Sequence, residues 1–226
     1  MREIVLDTET TGLNFNTGDR IIEVACVELI NHIPSGKTLQ FYCSVDKAID
    51  ESAIKVHGIT NEFLKSHPNF EDQVDSFLNF IKNDTLIIHN ADFDMGFINN
   101  ELKIINKNFL TNNVVDTVTL ARKTLGSRIA NLDYLCRRFS IDLSDRKLHG
   151  ALLDSHLLAQ VYLELKGGKQ ISMNLNSEKT YKRNISVDKT RNDHIFLKIE
   201  NTKEEINQHK ALTKQIKNPL WEKINY

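Results

Sequence analysis

The sequence predicts an α/β domain, a mixed sheet of about five strands with helices on its faces, followed by a flexible C-terminal tail. Three observations lead there. The first 45 residues hold three β-rich segments joined by turns, the pattern of an antiparallel meander. Residues 59–165 then alternate short apolar runs with segments of helical periodicity, which requires crossover connections and parallel strand pairing. Beyond Gly167-Gly168 large apolar residues thin out, and residues 169–194 are rich in Asn, Ser, Thr and Lys, the composition of a linker.

Taken in order, residues 3–9 form a buried first strand and 10–19 a polar turn containing Gly12. The β-branched run 21–30 is a second strand, 31–36 a turn with Pro34, and 38–45 a third strand. A short helix can start at Ile59-Thr60-Asn61-Glu62. Val74, Phe77, Leu78 and Ile81 set helical spacing over 70–81. Leu86-Ile87-Ile88 is a short strand running into His89-Asn90, 91–105 a helix, and 113–116 another short strand. Helices follow over 117–125, 131–139 and 150–165, the last stopped by Gly167. In the tail, 195–199 suits a short strand and 204–216 a helix.

Composition bounds the function. No stretch approaches the length of a transmembrane helix, and the N-terminus enters a strand directly with an acid at position 3, unlike a signal peptide. Cys26, Cys43 and Cys136 are odd in number and far apart, which fits buried free thiols in a reducing cytoplasm better than a disulfide framework or a zinc site. Charge is uneven: residues 1–165 carry net −7 and residues 166–226 net +6. The acidic part is therefore no simple electrostatic DNA binder; were it to handle nucleic acid, metal ions must offset its own carboxylates.

The chemistry concentrates in acids at telling positions. Asp7 and Glu9 are two apart on the first strand and point to one face, with Thr8 turned away. Carboxylates this close repel unless a cation lies between them, and a hard divalent ion such as Mg2+ or Mn2+ suits oxygen ligands. For this pair alone, a solvated edge strand is the plain alternative. Asp94 lies on the helix 91–105 on a face shared with Phe97, Ile98 and Glu101; Asp154 shares its face of the helix 150–165 with Leu158, Val161 and Leu165. A carboxylate on a core face costs several kcal/mol unless paired or metal-bound. A structural salt bridge or a helix cap is the alternative for either one alone.

His149 precedes Asp154 by five, and Gly150 places it in the loop before the helix. A mobile histidine near metal-binding carboxylates is a natural general base. His156 is about 200° round the helix from Asp154 and faces away. His32, His67, His194 and His209 lie in polar surroundings and are expected at the surface; His89 is expected to support the site, and His57 to contact substrate. Four acids and one histidine suit two-metal hydrolysis of a phosphodiester. One cation lowers the pKa of water, the other stabilises the leaving oxygen, and both neutralise the phosphate.

Three stretches, Asp7-Thr8-Glu9-Thr10-Thr11-Gly12, His89-Asn90-Ala91-Asp92-Phe93-Asp94 and His149-Gly150-Ala151-Leu152-Leu153-Asp154, resemble in order the three motifs of the DEDDh 3′–5′ exonucleases. The likeness is greatest to the epsilon (proofreading) subunits of bacterial DNA polymerase III and extends over nearly the whole chain. The resemblance implies a ribonuclease H-like fold over residues 1–166. It implies two divalent cations, Mg2+ or Mn2+, held by Asp7, Glu9 and Asp154, with Asp94 acting through water and His149 as the base. It selects Asp94 over Asp92. Asp7, Glu9, Ser52, His57 and Asp154 are the implied substrate contacts; Ser52 stands where the family has an acid, a departure at that contact. The backbone of Thr8–Leu13 is implied to wedge the 3′-terminal base.

The resemblance also reads the tail. Gln170, Met173 and Leu175, in a linker spanning 167–194, resemble a sliding-clamp-binding peptide, and residues 195–226, with Leu220 and Trp221, resemble the segment that binds the catalytic (alpha) subunit of polymerase III. A folded terminal hairpin or helix is the plain alternative. The implied activity is proofreading exonuclease action on a single-stranded or frayed 3′ end of DNA, releasing nucleoside 5′-monophosphates. A small accessory subunit is left open. So are two other readings, a stand-alone RNase or repair exonuclease and a non-catalytic clamp–polymerase scaffold.

Overall fold

The structure is a computed structural model and describes residues 1–146, 148–168, 202–213 and 215. The chain divides into two units, Met1–Asn174 and Leu175–Tyr226. In the first, strands β1 (Arg2–Thr10), β2 (Ile21–Ile30), β3 (Ile33–Tyr42), β4 (Thr85–Ile88) and β5 (Val114–Asp116) form one sheet in the order β3-β2-β1-β4-β5. β1–β2 and β2–β3 pair antiparallel, and β1–β4 and β4–β5 pair parallel. The expected mixed five-stranded sheet is present, with β1 at its centre.

The helices are α1 (Glu51–His57), α2 (Asn61–Leu64), α3 (Phe70–Ile81), α4 (Ala91–Ile104), α5 (Thr117–Leu125), α6 (Leu132–Arg138) and α7 (Ala151–Leu165). They divide between the two faces of the sheet. Ile4 and Leu6 pack with Val74, Phe77 and Ile81 of α3 and with Phe97, Ile98 and Leu102 of α4. Val5 packs on the other face with Leu135 of α6 and Leu158, Val161 and Leu165 of α7. Even-numbered β1 residues therefore face α3 and α4, and odd-numbered ones face α6 and α7. A register shift between Glu9 and Thr10 bends β1 where its two acids stand.

Two expectations are corrected. β3 begins at Ile33, not at residue 38, because the turn is only Asn31-His32, both at positive φ (52° and 70°), as a two-residue hairpin turn demands. β3 is an edge strand, so Pro34 and the polar residues after it sit within it without breaking a ladder. Helix α1 was not expected: only His57 is fully buried, and the apolar side that Ala53 and Ile54 turn to Ile22, Ile49 and Leu64 is too short to set a period. The short helix looked for at residue 59 is α2, at Asn61–Leu64.

The three cysteines are free and buried, as expected. Among the described residues no helix is long and apolar enough to cross a membrane. In the second unit, α8 (Lys203–Thr213) opens with a capping box: the Glu205 carboxylate accepts from the Thr202 N–H at 2.8 Å, and the Thr202 hydroxyl accepts from the Glu205 N–H at 3.3 Å. The expected linker beyond Gly168, the clamp peptide at Gln170, Met173 and Leu175, the strand at 195–199 and the Leu220-Trp221 anchor lie outside the described residues.

Candidate active site

Asp7 and Glu9 stand partly buried on the α7 side of β1, while Thr8 points to the α4 side and is 6% exposed. Across the sheet Glu9 pairs with Glu23 of β2, which is 1% exposed. Asp94 lies in the first turn of α4 and is 3% exposed; Asp92, two residues earlier, is exposed. Helix geometry thus leaves Asp94 as the acid of that motif, since neighbours two apart cannot share a face. Asp94 Oδ1 accepts a 2.7 Å hydrogen bond from the Thr8 hydroxyl. Asp154, 5% exposed, is on α7 amid buried Leu158, Val161 and Leu165.

A cavity of about 570 Å³ is lined by Asp7, Glu9, Asp94, His149 and Asp154 together. Five side chains drawn from β1, α4, α7 and the loop before α7 therefore meet at one place. One donor atom from each of Glu9, His149 and Asp154 lies within 4.8 Å of the others. The exposed His149 has Nδ1 3.4 Å from Asp154 Oδ2. Its backbone N–H donates to the Val56 carbonyl at 2.9 Å, tethering the loop to α1.

Electrostatics mark the cavity as short of positive charge. Burial, and then the charges of Asp94, Glu9, Asp154 and Glu23, hold the Asp7 carboxyl well above the carboxylate range. Burial, with Glu23, Asp154 and Asp94 nearby, pushes Glu9 up to about 8. Burial raises Asp94 to about 7 against the Thr8 hydrogen bond, which favours the ionised form. Glu23 is raised by burial and opposed by hydrogen bonds from Gln40 Nε2 (2.7 Å) and the Ala151 N–H (3.3 Å). Crowded carboxylates of this kind are relieved by a divalent cation, and hard oxygen donors fit Mg2+ or Mn2+.

Two other buried acids show the structural alternative. Glu101, also on α4 and 1% exposed, takes both fork contacts of Arg20 at 2.7 Å. Asp154 likewise has a guanidinium partner, Arg146, so the salt-bridge alternative entertained for it is present here. Asp94 has a hydroxyl instead.

The predicted substrate contacts fall unevenly. Asp7, Glu9 and Asp154 line the cavity, whereas Ser52 and His57 do not. Ser52 is exposed in the first turn of α1. His57 is 7% exposed, and its Nδ1 accepts from the Ile59 N–H at 3.0 Å. Burial lowers its pKa, with a smaller contribution from nearby His149. His89 lines the cavity and is fixed by Thr117 Oγ1, 2.9 Å from its Nδ1, in line with a supporting role. Two histidines expected at the surface are only partly exposed: His32 pairs with Glu3 at 2.6 Å, and His67 packs on Tyr42 and Phe63. Sequence reasoning missed Glu23, Asp133 and Arg146. A glutamate inside the apolar run of β2 was a readable signal for the first; Asp133 lies on the half-exposed side of the expected helix over 131–139, and Arg146 lies in a loop with no periodicity to single it out.

The family model described as an exonuclease, RNase T type, matches residues 4–162. A Rickettsia felis protein named DNA polymerase III subunit epsilon is 40% identical over 222 residues, covering 96% of this chain and 97% of that protein. A Salmonella typhimurium protein of the same name is 45% identical over 176 residues, covering 74% of this chain and 72% of that one. Among solved structures, the nuclease domain of 3′hExo, a DEDDh family member bound to rAMP, superposes with a TM-score of 0.65 at 17% identity, over 75% of this chain and 94% of that one. The last likeness concerns the fold, which is the ribonuclease H-like arrangement expected. Because the family model spans more than half of the sequence and the Rickettsia relative aligns nearly end to end, the chain belongs to the RNase T-type exonuclease family.

Proposed function

We propose that this chain is the proofreading (epsilon) subunit of a bacterial DNA polymerase III, a metal-dependent 3′–5′ exonuclease that removes nucleotides from single-stranded or frayed DNA 3′ ends as nucleoside 5′-monophosphates. The observation that carries this is the convergence of Asp7, Glu9, Asp94, Asp154 and His149 on one cavity. The relatives' name, DNA polymerase III subunit epsilon, supplies the biological setting.

In this reading Asp7, Glu9 and Asp154 would hold two divalent cations, Mg2+ or Mn2+. When bound, the cations neutralise the phosphate and make water more acidic. Asp94 orients water through its free carboxylate oxygen while Thr8 holds the other. His149, exposed on its loop, accepts the proton from the attacking water, a contribution of roughly 10²–10⁴-fold. Ser52 and His57 flank the terminal nucleotide. The turn after β1 is its wedge, a reading supported by the 84% exposure of Leu13 on that turn and by Gly12, where a Cβ would meet the Asp19 carboxylate at 2.5 Å. Gln170, Met173 and Leu175 take the sliding clamp, and residues 195–226 take the polymerase catalytic subunit.

The test is a 5′-labelled single-stranded oligonucleotide with Mg2+ or Mn2+. Stepwise shortening from the 3′ end with release of 5′-monophosphates is expected; no cleavage, or cleavage from the 5′ end, overturns the reading. A pull-down with the polymerase catalytic subunit, using the full chain and a chain ending at residue 168, tests the setting. Equal capture by both, or by neither, removes the tail from it.

A further inference from the structure

Arg146, in the loop between α6 and α7, has only 8% of its side chain exposed. Its Nε donates to Asp154 Oδ1 and its Nη2 to Asp154 Oδ2, both at 2.6 Å. Nη1 donates to Asp133, and Nη2 also lies 3.0 Å from His149 Nδ1. A guanidinium matches a carboxylate edge-on, and here every edge of the fork is used. One side chain thus covers both oxygens of Asp154 and occupies the nitrogen of His149 that faces that acid. A nitrogen accepting from Arg146 has no lone pair left for a proton from water.

We infer that Arg146 is the resident counter-ion of the metal-free site, competing with divalent cations for Asp154 and holding His149 out of use until they displace it. The inference rests on the reading of the cavity as a metal site. Physical chemistry separates Arg146 from a second guanidinium that pairs with a buried acid. Arg20 joins Glu101, which does not line the cavity, and the pair has nothing to exchange with. Arg146 holds an acid that does line it, in a cavity that Asp7, Glu9 and Asp94 line as well. Asp133, with 45% of its side chain exposed, anchors the third edge of the fork at the cavity rim.

The test is Mn2+ titration by calorimetry without DNA, and thermal melting in EDTA, on the full chain and three variants. Arg146→Gln is expected to bind Mn2+ roughly tenfold or more tightly than wild type, the scale of a lost charge-assisted hydrogen bond. Its metal-free form melts at a lower temperature. Asp133→Asn removes only the half-exposed anchor, so it folds, and it shifts affinity the same way by a smaller factor. Arg137→Gln removes a charge that lines the same cavity but makes no bond to Asp154, and should change affinity by less than about threefold if net charge is a minor term. Unchanged or weaker Mn2+ binding in Arg146→Gln and Asp133→Asn overturns the inference. So does equal tightening in Arg137→Gln, which reports only the field of the cavity. Wild type that binds Mn2+ beside unaltered variants removes this inference alone; absence of binding in all four chains removes the metal-site reading as well.

Discussion

The hydroxyl of Thr8 donates to Asp94 Oδ1 at 2.7 Å, joining the C-terminal end of β1 to the first turn of α4 from the face of the strand opposite Asp7 and Glu9. The bond does two things. It satisfies one oxygen of a carboxylate that is 3% exposed, and it favours the ionised form against burial. Thr8→Val keeps the shape and deletes the donor. The expected cost is about 1–3 kcal/mol for the orphaned acceptor, measured by urea unfolding. In EDTA, Asp94, already raised to about 7, rises further, so the pH-dependent fall in melting temperature extends to higher pH. A fall that keeps its pH range would leave Thr8 with a packing role only.

The carboxylate cluster predicts an unusual pH dependence for the metal-free protein. The folded-state pKa of Glu9 is raised from 4.5 to about 8 and that of Asp94 from 3.8 to about 7. Between those values the native state holds protons that the unfolded chain has released, so stability falls as pH rises from about 5 to about 8. In EDTA the melting temperature should drop across this window. Saturating Mn2+ should flatten or reverse the slope, because the cation binds the deprotonated acids. Asp7→Asn removes one repelling charge and should raise the melting temperature in EDTA at pH 8. It should also lower hydrolysis on the order of 10²–10³-fold or more. A variant that is both less stable and fully active removes Asp7 from the site.

His149 is exposed, and its side chain contributes little packing, so His149→Ala should unfold like wild type. Turnover is expected to fall by roughly 10²–10⁴-fold with Mn2+ affinity retained. Calorimetry separates the roles: loss of Mn2+ binding along with turnover makes His149 a ligand, an arrangement its nearness to Glu9 and Asp154 also permits.

The Arg20–Glu101 pair should respond asymmetrically. Glu101 is 1% exposed, and it also accepts from the Ile21 N–H at 3.2 Å, while 32% of the Arg20 side chain reaches solvent. Arg20→Met strands a buried charge and should cost about 3–5 kcal/mol. Glu101→Gln leaves a cation able to turn to water and should cost less. Urea unfolding of the two variants orders them, and the reverse order would mean that the glutamate is held mainly by the sheet backbone.

Much of this protein is legible residue by residue. β2 was read at 21–30 and α3 at 70–81, as observed, because each buries a continuous or strictly periodic apolar set. The seven residues of α1 bury too few apolar groups to leave a periodic trace, and the start of β3 is displaced from the expected one because an edge strand tolerates Pro34 and a polar run. The same local rules located four of the acids that line the cavity. Alternation along β1 put Asp7 and Glu9 on one face, and helical spacing put Asp94 and Asp154 on core faces.

What periodicity leaves undecided is how each buried acid is compensated. On α4, Asp94 and Glu101 are seven residues apart on one face and equally buried, and nothing local distinguishes them. Tertiary structure does: Glu101 meets Arg20, 81 positions away in sequence, and Asp94 meets a hydroxyl 86 positions away. Glu9 faces Glu23 only because β1 and β2 pair in that register, and Asp154 is covered by Arg146 only because the α6–α7 loop folds back over the cavity. The sequence by itself put Asp7 and Glu9 on one strand face and Asp94 and Asp154 on core-facing helical positions, while passing over Glu23. Only the folded chain decided which of them find a guanidinium partner, because that depends on approaches of a few ångströms that periodicity does not set, whether the partner is 81 positions away, as for Glu101, or 8, as for Asp154.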